Sequence, residues 1–265
     1  MKKIIIIKLG GSVITDKSKP FTARKRVIQR LAKEIISAHK KYKGNILISH
    51  GSGSFGHTIA SKYETHKGLV HKDSLKGAVL TSDAATEIDR IVMNHLLKAG
   101  LMVKSFAPSS FIIANDGELQ KIFSGPIIQA LMTGVTPVIY GDVIMDTKNG
   151  FCIFSAEKII EALMKDLSKV LKVQKIIFCT DTDGVYDSNK NTIKKITSKN
   201  IKKYDKEIGG SVGTDVTGGM IHKVKQSLVL GKKYGVRTLI VNGNKSGNLE
   251  KAIIGEKTTD TVITF

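Results

Sequence analysis

The sequence predicts an α/β fold built on a mainly parallel sheet, and three observations carry that prediction. Short apolar runs alternate with helical stretches in the βαβ manner. Two of the runs, Ile4-Ile5-Ile6-Ile7-Lys8-Leu9 and Ile46-Leu47-Ile48-Ser49, lack the polar alternation of half-exposed strands, and each ends in glycines: Gly10-Gly11-Ser12, then Gly51-Ser52-Gly53-Ser54-Phe55-Gly56-His57. Such turns present backbone N–H groups at the carboxyl edge of a sheet, where α/β folds bind ligands, so two of them imply two phosphate cradles. Finally, 265 residues with 41% hydrophobic content can fill the core of one large domain or two tightly joined lobes.

Taken in order, the apolar runs place strands at 4–9, 45–49, 102–106, 137–140, 175–180 and 237–242. Between them lie helices at 24–42, 57–63, 76–98, 125–134, 155–171 and 219–234, the last stopped by Gly235. In the 76–98 helix, Val79, Ala84, Ile88 and Val92 recur at roughly helical spacing, which by default means core packing. The small residues Gly77, Ala84 and Ala85 on that helix could instead leave room for an apolar ligand. Residues 187–215, crowded with Lys, Asn, Ser and Gly, read as a long loop carrying a short strand, either a lid or an ordinary exposed connection.

Lys and Arg total 42 against 23 Asp and Glu, a formal net charge of +19, which favours polyanionic ligands without naming one. Only Arg24, Arg26, Arg30, Arg90 and Arg237 are arginine, aromatic content is 6%, and no basic stretch interleaves with aromatics, which argues against nucleic-acid binding. Cys152 and Cys179 lie far apart in apolar runs and read as buried small hydrophobes, not a metal knuckle or redox pair. Four isoleucines after Met1-Lys2-Lys3 are too short for a signal-peptide core, and no run approaches membrane-spanning length, so a soluble, cytoplasmic protein is expected.

Gly51 to Gly56 satisfies G-x-G-x-x-G, but the polar stretch 61–73 supplies no second strand to bring an acid to a ribose, and no G-x-x-x-x-G-K-[ST] occurs. Phosphate handling by separated lysines and backbone amides remains. Lys8, deep in an isoleucine run, is costly to bury without an anion. Lys17 can reach back over the same crevice, and His57 is read at a helix start, where the dipole favours anions. Asp181 and Asp183, in Thr180-Asp181-Thr182-Asp183-Gly184-Val185-Tyr186, follow the apolar strand at 176–179 and suit ribose and Mg²⁺-phosphate surroundings. The turn Thr217-Gly218-Gly219 opens a helix with Lys223 one turn in, placed to neutralise a nucleotide's β and γ phosphates.

The order K-L-G-G-S, H-G-x-G-S-F-G-H, G-D, T-D-x-D-G-V-Y and D-V-T-G-G-M-x-x-K resembles the amino-acid kinase superfamily over nearly the whole chain. The Gly53-Ser54-Phe55-Gly56-His57 segment is similar to its archaeal-type isopentenyl phosphate kinase branch and to fosfomycin kinase. The resemblance implies a three-layer αβα sandwich, one continuous domain with an acceptor lobe over residues 1–170 and an ATP lobe over 171–265, and a homodimer. By the same resemblance Lys8 and Lys17 contact the transferring phosphoryl group and His57 holds the substrate phosphate, with Gly53, Ser54, Ala156 and Glu157 beside it. Gly10, Gly11, Ser12, Asp181, Asp183, Gly218, Gly219 and Lys223 then hold ATP and its Mg²⁺.

One departure stands out: where the family usually shows Ser-Gly-Asp-Asp, this chain reads Ser155-Ala156-Glu157-Lys158, so that Glu157 keeps an acid to orient the lysines while Lys158 reverses a charge. The expected activity is ATP-dependent phosphorylation of isopentenyl phosphate. The alternatives are a kinase for another small phosphate or phosphonate such as fosfomycin, and a non-catalytic nucleotide-binding sensor.

Overall fold

The computed structural model describes residues 1–204, 219–258 and 260–265. Its centre is strand β1 (Lys2–Leu9), whose four isoleucines are fully buried. Successive strand side chains point to opposite faces, so Ile4 and Ile6 enter one hydrophobic core while Ile5 and Ile7 enter the other. The unbroken apolar run is thus the mark of a sheet covered twice.

After β1 a short helical turn, α1 (Gly11–Ile14), leads to α2 (Lys25–Lys41) and then β2 (Asn45–His50). Next come α3 (Gly53–Lys62), α4 (Ser74–Lys98) and the edge strand β3 (Val103–Ser105). Strands β4 (Ile112–Asn115) and β5 (Glu118–Ile122) precede α5 (Gly125–Thr133), β6 (Thr136–Tyr140), β7 (Asp142–Asp146), β8 (Gly150–Phe154) and α6 (Ala156–Val170). The chain continues through β9 (Leu171–Thr180), β10 (Lys195–Ile196), α7 (Gly219–Tyr234), β11 (Arg237–Asn242), α8 (Asn248–Ile254) and β12 (Thr261–Ile263).

The main sheet has the order β10-β12-β11-β9-β1-β2-β6-β3 and is parallel except where β12 pairs with β11. Strands before residue 171 occupy one half and those from 171 onward the other, with β1 and β9 adjacent at the seam. Helices α2, α4 and α8 pack their apolar faces on one side, through Leu31, Ile88 and Leu249 among others, and α5, α6 and α7 cover the other through Leu131, Leu163 and Val224. This is the expected three-layer arrangement. No helix of the described residues is long and apolar enough to cross a membrane.

The smaller sheet β5-β4-β7-β8, the helix α8 and the strand β12 lie outside the elements expected from the sequence. Its β5 is almost wholly exposed, so no apolar run announces it. The signal available was the Asp116-Gly117 pair, whose left-handed backbone (φ 53 and 74) makes a hairpin turn between β4 and β5. On α4, Ala84, Ile88 and Val92 join the core, whereas Val79 is 68% exposed. Ala85 is buried too, and Gly77 is filled by the Tyr63 side chain, because a Cβ there would lie 2.3 Å from that of Tyr63. Core packing therefore accounts for Ala84, Ile88 and Val92, with Ala85 buried beside them. The short strand expected within 187–215 is β10, while residues 205–215 lie outside the described residues.

Candidate active site

The parallel strands β1, β2, β9 and β11 end together, with Leu9 opposite both His50 and Cys179, and Asn242 opposite Thr180. At that edge the two glycine turns interlock. A Cβ on Gly11 would lie 2.7 Å from the Gly53 Cα, and Gly53 itself takes φ +53, a conformation that costs glycine little. Thr15 ties the turns together: its Oγ1 donates to the Gly11 carbonyl at 2.7 Å and accepts from the Ser54 amide at 3.0 Å. Thr15 carries no signal in the sequence, since its importance comes from a contact 39 residues away.

Lys8 is buried, and its Nζ lies 2.8 Å from Glu157 Oε1. Glu157 stands in the first turn of α6, which is capped by Ser155 Oγ accepting the Lys158 amide at 3.2 Å. Burial by itself would raise the Glu157 carboxyl. The charges of Lys8 and Lys223, with the hydrogen bond from Lys8, hold it below the ordinary glutamate range. Glu157 is therefore an ionised acid between a cation from β1 and a cation from α7. Gln226, one turn beyond Lys223, donates to the Glu157 backbone carbonyl at 3.3 Å and to Glu161 Oε2 at 2.8 Å, binding the two helices.

Lys158 does not bring its charge into this centre. Its ammonium donates to the Gly117 carbonyl, pairs with Glu118 Oε1 at 2.9 Å and sits 4.6 Å from the centre of the Phe154 ring. The apparent charge reversal is spent on the outer hairpin.

The remaining expected residues fall as follows. Gly10, Gly11 and Ser12 open α1, whose first amides have no intrahelical acceptor. Helix α3 begins at Gly53, so exposed His57 stands a full turn inside it, a correction to the reading that put His57 at the helix start. Ala156 is buried beside Gly141, whose Cβ position lies 3.3 Å from the Ala156 amide. Lys17 is exposed on the loop after α1, and among the described residues no hydrogen bond or ion pair joins it to Lys8 or Glu157. Asp183 accepts from Lys245 at 2.7 Å and Asn242 at 2.8 Å, contacts that hold its carboxyl below the usual range, with exposed Asp181 nearby. Gly219 opens α7 with φ +60, whereas Gly218 lies outside the described residues. Both cysteines are buried free thiols pushed up to about 12 by burial.

A parallel sheet whose carboxyl edge carries interlocked glycine turns over a buried lysine–glutamate pair defines a class, and the family model for the amino acid kinase family matches residues 3–242. The chain belongs to that family. It is 34% identical over 263 residues to the isopentenyl phosphate kinase of Methanocaldococcus jannaschii, covering 96% of each chain. With the isopentenyl phosphate kinase of Methanothermobacter thermautotrophicus it is 35% identical over 272 residues, covering 98% of this chain and 99% of the relative. A solved isopentenyl phosphate kinase structure superposes with a TM-score of 0.81 at 30% identity, over 98% of this chain and all of that one.

Proposed function

We propose that this protein transfers the γ-phosphoryl group of ATP to isopentenyl phosphate, giving isopentenyl diphosphate and ADP. The observation that carries the reading is the buried Lys8–Glu157 pair with Lys223 close enough to act on the same carboxylate, set against two glycine turns. Phosphate attacking phosphate needs no strong general base, because the acceptor is already an anion; alignment and charge neutralisation suffice.

In this reading the acceptor sits over residues 1–170, near Gly53, Ser54 and His57, and ATP over residues 171–265. Lys8 meets the phosphoryl group in flight, with Lys17 as a second cation from above. Lys223, together with Gly218, Gly219 and the turn Gly10-Gly11-Ser12, holds the nucleotide phosphates. Glu157 keeps Lys8 and Lys223 from repelling one another before substrate arrives and sets their spacing. Among the described residues no group of three or more His, Cys, Asp or Glu could cage a metal. In this proposal Mg²⁺ comes carried on the nucleotide, since this ion is commonly held through substrate phosphates. A homodimer in the cytoplasm completes the proposal, and sedimentation of the full chain measures its oligomeric part.

The test is ADP release with isopentenyl phosphate, dimethylallyl phosphate, fosfomycin, acetylglutamate and carbamate as acceptors. Highest kcat/KM with isopentenyl phosphate is expected. A preference for fosfomycin or for either of the carboxylate-type acceptors would overturn the substrate assignment, and no turnover with any of them would point to a nucleotide-binding sensor.

A further inference from the structure

Away from the glycine turns, the described residues form a concavity at the opposite edge of the main sheet, where β1, β9 and β11 begin. It is a cleft of about 460 Å³ between the end of α2, the end of α8 and the first residues of those three strands. Its cations come from neighbouring strands in register. Lys3 of β1 stands opposite Lys172 of β9, and Arg237 of β11 stands opposite Lys175 of β9. Lys41 and Lys43 face them from the end of α2, and no carboxylate lines the cleft.

Like charges directly opposite one another on adjacent strands destabilise a sheet, and here two such pairs lie side by side. Lys41 is compensated by Glu250 at 2.7 Å, and Lys175 donates to the Ala252 carbonyl at the end of α8. Lys3, Lys43, Lys172 and Arg237 have no ion-pair partner among the described residues. Lys175 is only 4% exposed, and its burial, with Arg237 beside it, depresses its ammonium to about 8. A buried lysine beside an arginine is an expensive arrangement that an anion would relieve. Polar groups also reach the wall, where Tyr42 Oη donates to Gln174 Oε1 at 2.8 Å, and Val173, Ile253 and Ile254 make it partly apolar.

We propose that this cleft is a second anion site, taking a compact small molecule with two or more phosphate groups and separate from the reacting phosphates at the far edge of the sheet. A nucleic-acid backbone is the less suitable occupant. The cations converge into one concavity rather than along a track, and the single aromatic lining it, Tyr42, is half-buried and engaged by Gln174, so it offers no stacking platform.

The experiment is calorimetric titration of the full chain with inorganic tripolyphosphate. Two equivalents are expected for the wild type. Lys172→Glu/Arg237→Glu loses one of them, or weakens it at least about tenfold, and keeps wild-type kinase turnover. Lys8→Met keeps the cleft equivalent. If the double variant does not fold, Lys43→Glu, which alters only an exposed side chain, still lowers the affinity of that equivalent several-fold. A single wild-type equivalent that disappears with Lys8→Met, or an unchanged isotherm for the charge-reversed variants, overturns the proposal. So does tighter binding of a single-stranded oligonucleotide than of tripolyphosphate with the same dependence on Lys172 and Arg237, which would make the cleft a nucleic-acid surface.

Discussion

Glu157 remains ionised where burial alone would neutralise it, because Lys8 and Lys223 both act on it. Replacing it by Gln leaves the buried Lys8 ammonium without its counter-charge, a loss on the scale of about 3 kcal/mol of unfolding free energy. Glu157→Gln is therefore expected to lower both the denaturant midpoint and kcat, whereas Glu157→Asp, which keeps the charge, should retain most of each. Equal activity of Glu157→Gln and wild type would remove the acid from the account. Lys158→Ala should leave kcat/KM within about threefold, since that ammonium serves the Gly117–Glu118 hairpin. The sequence could not show this. Neighbouring helix residues point about 100° apart, so two adjacent charges in a first turn can serve different surroundings, and the packing of α6 against the core decides which of them faces the lysine. His57→Ala should lower kcat/KM for the acceptor at least about tenfold, as loss of a charge-assisted hydrogen bond does, with the KM for ATP nearly unchanged. Unaltered acceptor kinetics would release His57 from its role.

At the scale of elements, the strands were readable because burial on both faces leaves unbroken apolar runs, as in Ile4 to Ile7. The small sheet was not, because β5 is almost wholly exposed and the other strands are short and set off by tight turns, two of which are held by one carboxylate. Asp146 accepts from the amides of Asp116, Gly117, Lys148 and Asn149 at 2.7 to 3.1 Å, and although burial pushes its carboxyl up, those four bonds pull it down to about 2. Asp146→Ala strands four donors and should cost about 1 to 3 kcal/mol, read from denaturant unfolding. No change would mean that water replaces the carboxylate. Lys175 carries the opposite sign of linkage. Its ammonium falls from 10.5 to about 8 on folding, so the unfolded chain binds that proton more tightly and stability rises as pH climbs from about 8 toward 10.5. Lys175→Met should lose that rise, and parallel stability profiles for the two proteins across this range would contradict the burial cost.

At the scale of the molecule, the centre lies on the seam between the two halves of the sheet: Lys8 and Glu157 come from before residue 171 and Lys223 from after it. The glycine turns and lysines were legible one by one from local spacing. Their convergence, like Thr15 bridging the turns and Gln226 bridging the helices, depends on contacts between residues far apart in the chain. The division of labour across the seam is measurable. Lys8→Met should damage turnover more than ATP binding, because a cation on the moving phosphoryl group acts mainly in the transition state, and Lys223→Met should weaken ATP binding as well. Equal loss of ATP affinity in both variants would contradict it. The most direct test of the central claim, phosphoryl transfer from ATP to a phosphate oxygen of isopentenyl phosphate, is ³¹P NMR of the complete reaction. The account predicts that the monophosphate resonance gives way to a pair of coupled diphosphate resonances as ATP becomes ADP; appearance of ADP and inorganic phosphate alone, with isopentenyl phosphate unchanged, would contradict it.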